Sequence, residues 1–408
     1  MPPSFRQLPA GWCALALLVP FLLGGWLAAA VDPSLDDRMI MEAKINGHPV
    51  LLQFDTGAAD LTLFRQSAER LQLHVPALTP GLKSPPGQTP GIMSEPLEFQ
   101  LGNRTFSTQF FVVDSPTSVS MDIDGVLGWR PLRANIFAIA GVERGGKLRV
   151  RTAILPEAPA GVEHLWQLPL RPQSDVLILD LPGPDGHPDT MLVDTGAEDG
   201  VTLSPAKWRE WKAAHPDALT TLGVYFTPSS GFVVNTVAWA RELHLGPLTL
   251  TDVPVSVNLA GETDHDVTLG LYALKRVNLI VDGRKGLAYF QPAAAVAPPY
   301  QHNRLGAVFV PHGPLLEPLV AQVIPGTPAA EAGIRDGDLL LKIGPRDVTH
   351  WRSSPVGFES VVFWNNPARL TYSLTLKRGD SEFTTVVKLR DILGPQPTPA
   401  GSKTTPGR

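Results

Sequence analysis

The sequence predicts a mainly β protein in which two similar halves are followed by a small α+β block. Three observations lead there. Of 408 residues, 41 are Pro and 37 are Gly, about a fifth of the chain against roughly 12% ordinarily, which favours many short elements broken by turns over a helix bundle. Residues 46–58 and 185–197 repeat one another. A block of about ninety residues after Tyr300 has its own pattern of strands and one Ala-rich helical turn. With 43% hydrophobic residues there is ample material for a core, so disorder of the whole chain is excluded. A net charge of −5 and a pI near 6.1 lack the basic footprint of nucleic-acid binding. Cys13 is the one cysteine, which excludes an intramolecular disulfide framework and any multi-Cys zinc site.

The N-terminus reads as a targeting segment. Arg6 precedes an apolar run from Trp12 to Leu27, then Ala28-Ala29-Ala30 and the acidic residues Asp32, Asp36 and Asp37. A positive start, an apolar stretch and small residues at a cleavage position describe a secretory signal over residues 1–30, cut near Ala30. Secretion or a periplasmic location follows. The alternative is an uncleaved membrane anchor, against which Pro20, Gly24, Gly25 and the shortness of the run weigh.

Half one, residues 31–155, opens with Gly47 in a hairpin-like turn and an apolar strand, Val50–Phe54, that ends at Asp55-Thr56-Gly57-Ala58. Leu61–Leu71 is expected to be a short helix and Phe106–Val113 a strand. Half two, residues 156–292, repeats this: Gly186-His187-Pro188 precedes Asp194-Thr195-Gly196-Ala197 at the spacing of Gly47-His48-Pro49 before Asp55. Val126-Leu127-Gly128 and Thr268-Leu269-Gly270 each follow their own Asp-Thr-Gly by just over seventy residues. Matched contexts of this length mark a duplication. Pro205–Ala214 is expected to be helical and Thr249–Val257 a strand. Val224-Tyr225-Phe226 and Phe232-Val233-Val234 flank Thr227–Gly231 as the two strands of a hairpin.

The Pro/Ala-rich stretch Gln291–Tyr300, with a linker assigned to 293–302, cannot build a core and reads as a flexible tether. The tail, 393–408, has the composition of a disordered segment. Between them, 303–392 reads as strand, turn, a short helix stopped by Gly333, an Asp-Gly turn and the strand Leu339–Ile343. With Pro325–Ile334 and Asp336-Gly337-Asp338 in this order, the block resembles a bacterial-type PDZ domain. That resemblance implies that Leu305, Gly306 and Ala307 form a loop whose backbone N–H groups receive the C-terminal carboxylate of a peptide. The other reading is a PDZ fold that props up its neighbour. Trp351, Phe363 and Trp364 are read as core.

An aspartate ending an apolar strand is costly unless its carboxylate is hydrogen-bonded. Gly57 and Gly196 allow backbone N–H groups to approach it. Thr56 and Thr195 carry hydroxyls that can bond across to the opposite loop. Two such loops face to face bring together two carboxylates that cannot both ionise, so the pair holds one proton over a band of pH. One member then takes a proton from water while the other polarises a peptide carbonyl. Strand, Asp-Thr-Gly-Ala and a later apolar-apolar-Gly resemble aspartic peptidases of the retropepsin and pepsin type, over residues 38–292. The resemblance implies two acid-protease β-barrel halves. It makes Asp55 and Asp194 catalytic and Thr56, Gly57, Thr195 and Gly196 their support. Leu127-Gly128 and Leu269-Gly270 become the second supporting loop of each half, and Tyr225 a flap residue.

The first-half flap would fall on the Pro-rich Thr79–Pro90, where a regular hairpin is not expected. Asp122 and Asp124 read as solvated turn residues, and His48 and His187 as turn residues repeated by the duplication. No cofactor or metal is implied. The expected function is an aspartic endopeptidase acting on polypeptides, with the PDZ block for substrate or C-terminus recognition. A peptide-binding protein that kept the shell without activity is the alternative, although both Asp-Thr-Gly triplets are intact.

Overall fold

The computed structural model describes residues 39–74, 91–102, 104–114, 123–144, 147–183, 186–227, 231–259, 265–293, 300–311, 318–351, 363–365 and 369–394. The N-terminal segment, the first-half flap, most of the Pro/Ala-rich stretch and nearly all of the tail lie outside them. No helix among the described residues is long and apolar enough to cross a membrane.

Half one begins with a hairpin of β1 (Ile40–Ile45) and β2 (His48–Phe54). Asn46 and Gly47 both turn through positive φ, +49° and +80°, which glycine adopts without a Cβ clash. In β2 the alternate residues Val50, Leu52 and Phe54 are buried, the period of a strand with one face on the core. After Asp55 come β3 (Leu61–Phe64) and α1 (Arg65–Arg70). Leu61–Phe64 was expected to be helical, but Leu61 and Leu63 are buried on the sheet and Thr62 is not, so the alternating pattern outweighs helix propensity there. Then follow β4 (Gly91–Met93), β5 (Leu97–Leu101), β6 (Arg104–Thr108), β7 (Phe111–Val113) and β8 (Gly125–Leu127). The expected strand Phe106–Val113 is thus broken between Thr108 and Phe111, where Phe110 turns into the core and its N–H meets the Ser94 hydroxyl at 2.9 Å. The sheet order is β4-β7-β3-β8-β2-β1-β5-β6.

Next come β9 (Ile136–Arg144), β10 (Lys147–Leu155) and β11 (Trp166–Pro169). Half two comprises β12 (Ile178–Leu181), β13 (Asp189–Val193), β14 (Val201–Leu203), α2 (Pro205–Ala214), β15 (Thr220–Thr227), β16 (Gly231–Leu245), β17 (Leu248–Val257), β18 (Val267–Leu269) and α3 (Leu271–Leu274). The helix α2 stands where the sequence puts it, with Ser204 as N-cap accepting from the Lys207 N–H and Pro205 at its first position. The half-two sheet runs β12-β13-β18-β14-β17-β16-β15. Two further strands, β19 (Val277–Asp282) and β20 (Leu287–Pro292), join β9, β10 and β11 in the order β10-β9-β19-β20-β11. This third sheet draws strands from both sides of residue 155. One apolar core, with Phe54, Leu127, Phe137, Val193, Leu269 and Leu279, runs through all three sheets.

The C-terminal unit has β21 (Ala307–Pro311), β22 (Leu319–Val323), α4 (Pro328–Glu331), β23 (Leu339–Ile343), β24 (Arg346–Asp347), β25 (Thr371–Arg378) and β26 (Ser381–Lys388). Its sheet is β21-β22-β23-β25-β26, with β21 at one edge. Gly333 and Gly337 take φ of +83° and +86°, ending the helical turn and making the Asp-Gly turn. Trp351 and Trp364 are buried in this unit's core as read from the sequence.

Candidate active site

The two Asp-Thr-Gly loops meet at the centre of the duplicated region with near-exact internal symmetry. In half one, β8 lies between β2, which it pairs in parallel, and β3, which it pairs antiparallel. The strand holding Leu127 is thereby wedged under the turn joining β2 to β3. In half two, β18 lies between β13 and β14 in the same way. The Asp55 N–H donates to the Leu127 carbonyl and the Asp194 N–H to the Leu269 carbonyl, both at 3.0 Å. Gly128 and Gly270 press against their own Asp-Thr-Gly loops: a Cβ there would lie 2.5 Å from the Asp60 carbonyl oxygen and 2.4 Å from that of Asp199. Leu127, Gly128, Leu269 and Gly270 therefore support the two turns by direct contact.

Thr56 and Thr195, both fully buried, lock the loops together. The Thr56 N–H donates to Thr195 Oγ1 at 3.0 Å and the Thr195 N–H to Thr56 Oγ1 at 3.1 Å. Each hydroxyl then donates across the dyad, Thr56 to the Val193 carbonyl at 2.5 Å and Thr195 to the Phe54 carbonyl at 2.8 Å. Both N–H groups and both hydroxyls of this buried lattice have a partner.

The carboxylates sit above it. Asp55 Oδ1 accepts from the N–H groups of Gly57 and Ala58 at 2.9 and 3.1 Å, and Asp194 Oδ1 from those of Gly196 and Ala197 at 2.8 and 3.2 Å. The glycines make room: a Cβ on Gly57 would fall 2.6 Å from the Asp194 carboxyl, and one on Gly196 2.4 Å from that of Asp55. Burial, then the charge of Asp194 and a hydrogen bond between the two carboxyls, hold Asp55 well above the ordinary carboxylate range. Burial raises Asp194 as well, opposed by the Gly196 N–H, the bond from Asp55 and the Ala197 N–H. The two groups titrate as one unit that keeps a proton where a free carboxyl would lose it.

The duplication reaches further than the sequence reading took it. Asp124 Oδ2 accepts from the Leu51 N–H and Asp266 Oδ2 from the Thr190 N–H, each at 2.9 Å. Each acceptor stands four residues before its Gly128 or Gly270, and each donor four before its Asp55 or Asp194. Asp124, expected to be a solvated turn residue, instead pins β2 and also binds Arg70; Asp122 lies outside the described residues. Asp60 and Asp199 form a second matched pair, five residues after Asp55 and Asp194. Asp60 meets Arg130 at 2.7 Å, and Arg130 also reaches Asp175 at 3.0 Å. In half two the position of Arg130 is Tyr272.

Asp199 faces a cavity lined also by Asn235, Tyr300, His302 and Asn303. Burial, then the charge of Glu198, pushes it up to about 6 from 3.8. A carboxyl raised in the folded state binds its proton more tightly folded than unfolded. Stability is therefore lost as pH rises from about 4 through 6 and stays lower above. The full shift is worth about 3 kcal/mol. Asp199→Asn should raise the urea midpoint at pH 7 by an amount equivalent to about 1–3 kcal/mol and leave it unchanged at pH 3.5. An equal effect at both pH values would show that Asp199 titrates alike in the folded and unfolded chain.

Two expectations for the C-terminal unit need correcting. The loop Leu305-Gly306-Ala307 does not present its donors to a ligand: the N–H groups of Leu305 and Gly306 donate to Asn303 Oδ1 at 2.9 and 3.1 Å. Ala307 is paired with Val323 in the sheet, and Leu305 and Ala307 are fully buried. Nor is the whole of 293–302 a free tether. Tyr300 packs on Tyr272 with ring centroids 5.1 Å apart, and the Thr221 hydroxyl on β15 donates to the Asn303 carbonyl at 2.8 Å. Asn303 itself carried no sequence signal, since its partners are its own following backbone and a strand about eighty residues earlier. Tyr225 lies on the second-half hairpin as expected, opposite Val233, with its hydroxyl 3.4 Å from Asn258 Oδ1. His48 and His187 are exposed. Among the described residues no group of three or more His, Cys, Asp or Glu is placed to hold a metal ion.

Residues 41–130 match the aspartyl protease family and residues 319–352 match the PDZ domain. No curated protein matches the chain in sequence. Among solved structures the chain is similar to the aspartic proteinase from Irpex lacteus at 13% identity, with a TM-score of 0.41, over 62% of this chain and 94% of that one. The aspartyl protease match contains Asp55 and the first glycine loop; the second half, with Asp194, is joined to it by the internal symmetry described above.

Proposed function

We propose that the chain is an aspartic endopeptidase that hydrolyses polypeptides with a water activated between Asp55 and Asp194. The observation that carries this reading is that two carboxyls, each fixed by two N–H groups of its own loop, face each other so closely that a Cβ on the opposite loop's glycine would lie 2.6 Å from Asp194 and 2.4 Å from Asp55. One shared proton makes the pair an acid and a base at once. The ionised member takes a proton from water as its oxygen attacks the peptide carbon. The protonated member gives its hydrogen to the carbonyl oxygen, leaving a neutral tetrahedral diol. Proton transfer to the amide nitrogen and cleavage of the C–N bond then release an amine and a carboxylic acid and restore the one-proton pair. No covalent intermediate forms. The targeting segment read from the sequence would place this activity outside the cytoplasm.

Activity requires one proton on the pair, so it falls at low pH when both carboxyls are protonated and at high pH when both are ionised. Ala58 and Ala197 offer the carboxylates no hydroxyl that would lower their pKa values. Digestion of an unfolded protein should follow a bell with its maximum on the order of pH 4–6. A pepstatin-like inhibitor, whose hydroxyl mimics the diol, should stop it. An optimum near pH 2, rates still rising above pH 8, or no cleavage at any pH would each count against the proposal.

A further inference from the structure

The edge strand β21 of the PDZ unit is where a peptide ligand would add as an extra strand, and the chain's own second-half hairpin lies against it. Leu222 and Val224 of β15 and Phe232 and Val234 of β16 share one face of that hairpin and pack into the PDZ core. Phe232 meets Trp351 edge-on at 5.7 Å. The opposite face is held as well. Thr221 Oγ1 bonds the Asn303 carbonyl, and Tyr300 lies against Trp239, further along β16, with ring centroids 6.3 Å apart. In the same entry segment His302 Nε2 lies 2.9 Å from Asp391 Oδ1, at the far end of the unit. The carboxamide oxygen of Asn303 accepts the two loop N–H groups that a ligand carboxylate would use.

We propose that the PDZ unit takes the hairpin β15–β16 as its intramolecular ligand, with Asn303 in place of a terminal carboxylate, and so clamps that hairpin in place. The ligand class that competes is an extended peptide with a free C-terminal carboxylate. Such a peptide needs the same edge and the same two donors, and the attached hairpin opposes it at high effective concentration. The clamp holds whether or not the carboxyl pair hydrolyses peptides, and its test reads no activity.

The test is backbone hydrogen exchange on the full chain, followed in residues 220–227 and 231–238. Exchange in β25 and β26 reports that the PDZ unit stays folded. Asn303→Ala, and separately Leu222→Ala with Val224→Ala, should each speed hairpin exchange at least tenfold while β25–β26 stay protected. Thr221→Val, which keeps the side-chain shape, should give a smaller increase of the same sign. A millimolar pool of mixed-sequence decapeptides ending in a free valine carboxylate should speed hairpin exchange further in Asn303→Ala, where the loop donors are free. The amidated pool should not. Unchanged hairpin exchange in all three variants would overturn the clamp. Equal effects of free-acid and amidated pools would overturn the competing ligand class.

Discussion

Asp55→Asn and Asp194→Asn should each lower kcat/KM on peptides by at least about a thousandfold, some 4 kcal/mol of transition-state stabilisation. Either change leaves a side chain of the same shape whose oxygen still accepts from Gly57 and Ala58, or from Gly196 and Ala197, so the loops keep their form. The chemistry is what disappears, because a carboxamide can neither take a proton from water nor pass one to the leaving nitrogen. Fold and chemistry can be read apart. Removing one of two buried like-charged acids relieves the burial and repulsion that raise Asp55, so neither variant should be less stable than the parent at neutral pH. A variant that kept near-normal turnover would show that its aspartate is not part of the reacting pair.

Gly196→Ala and Gly57→Ala should be nearly as damaging through geometry alone. The added methyl of Gly196→Ala would lie 2.4 Å from the Asp55 carboxyl, and that of Gly57→Ala 2.6 Å from the Asp194 carboxyl. Real side-chain carbons do not approach so closely, so the facing carboxyl must move, and with it the hydrogen bond between the pair. Displacement of a reacting group by about 1 Å costs on the order of a hundredfold. We expect a loss of that size or larger in kcat, with KM little changed because the methyl points at the dyad. Separating the carboxyls also lets them titrate more independently, so the two limbs of the bell should draw together and the profile narrow. A loss confined to KM would place the effect on substrate binding instead.

The architecture was legible wherever local pattern and internal repetition coincide. The paired Asp-Thr-Gly-Ala blocks, the alternation in β2 and the Gly333 and Gly337 turns each announce a structure that the chain then adopts. Leu61–Phe64 misled because a strand of four residues joined directly to a helix shares its composition. Asp124 and Asp266 were legible in principle, standing at the same distance from Gly128 and Gly270, but only a search for matched positions beyond the Asp-Thr-Gly-Ala blocks would find them. Asn303 and the grip on the hairpin were not legible. They depend on contacts between Thr221 and Asn303 and between Phe232 and Trp351, residues far apart in the chain with no local period. The third sheet hides for a similar reason: β9 and β19 pair across most of half two.

The central claim is that Asp55 and Asp194 work as one proton-sharing unit rather than as two separate contributors. It is tested most directly by kcat/KM for the double variant Asp55→Asn/Asp194→Asn beside the two single variants, on one peptide at the optimum pH. Groups that act as a unit are non-additive, since the first substitution already removes what the second could remove. The double variant should therefore be within about a factor of three of the worse single one. A double loss equal to the product of the two single losses would mean that the carboxyls contribute independently, and would contradict the shared-proton pair.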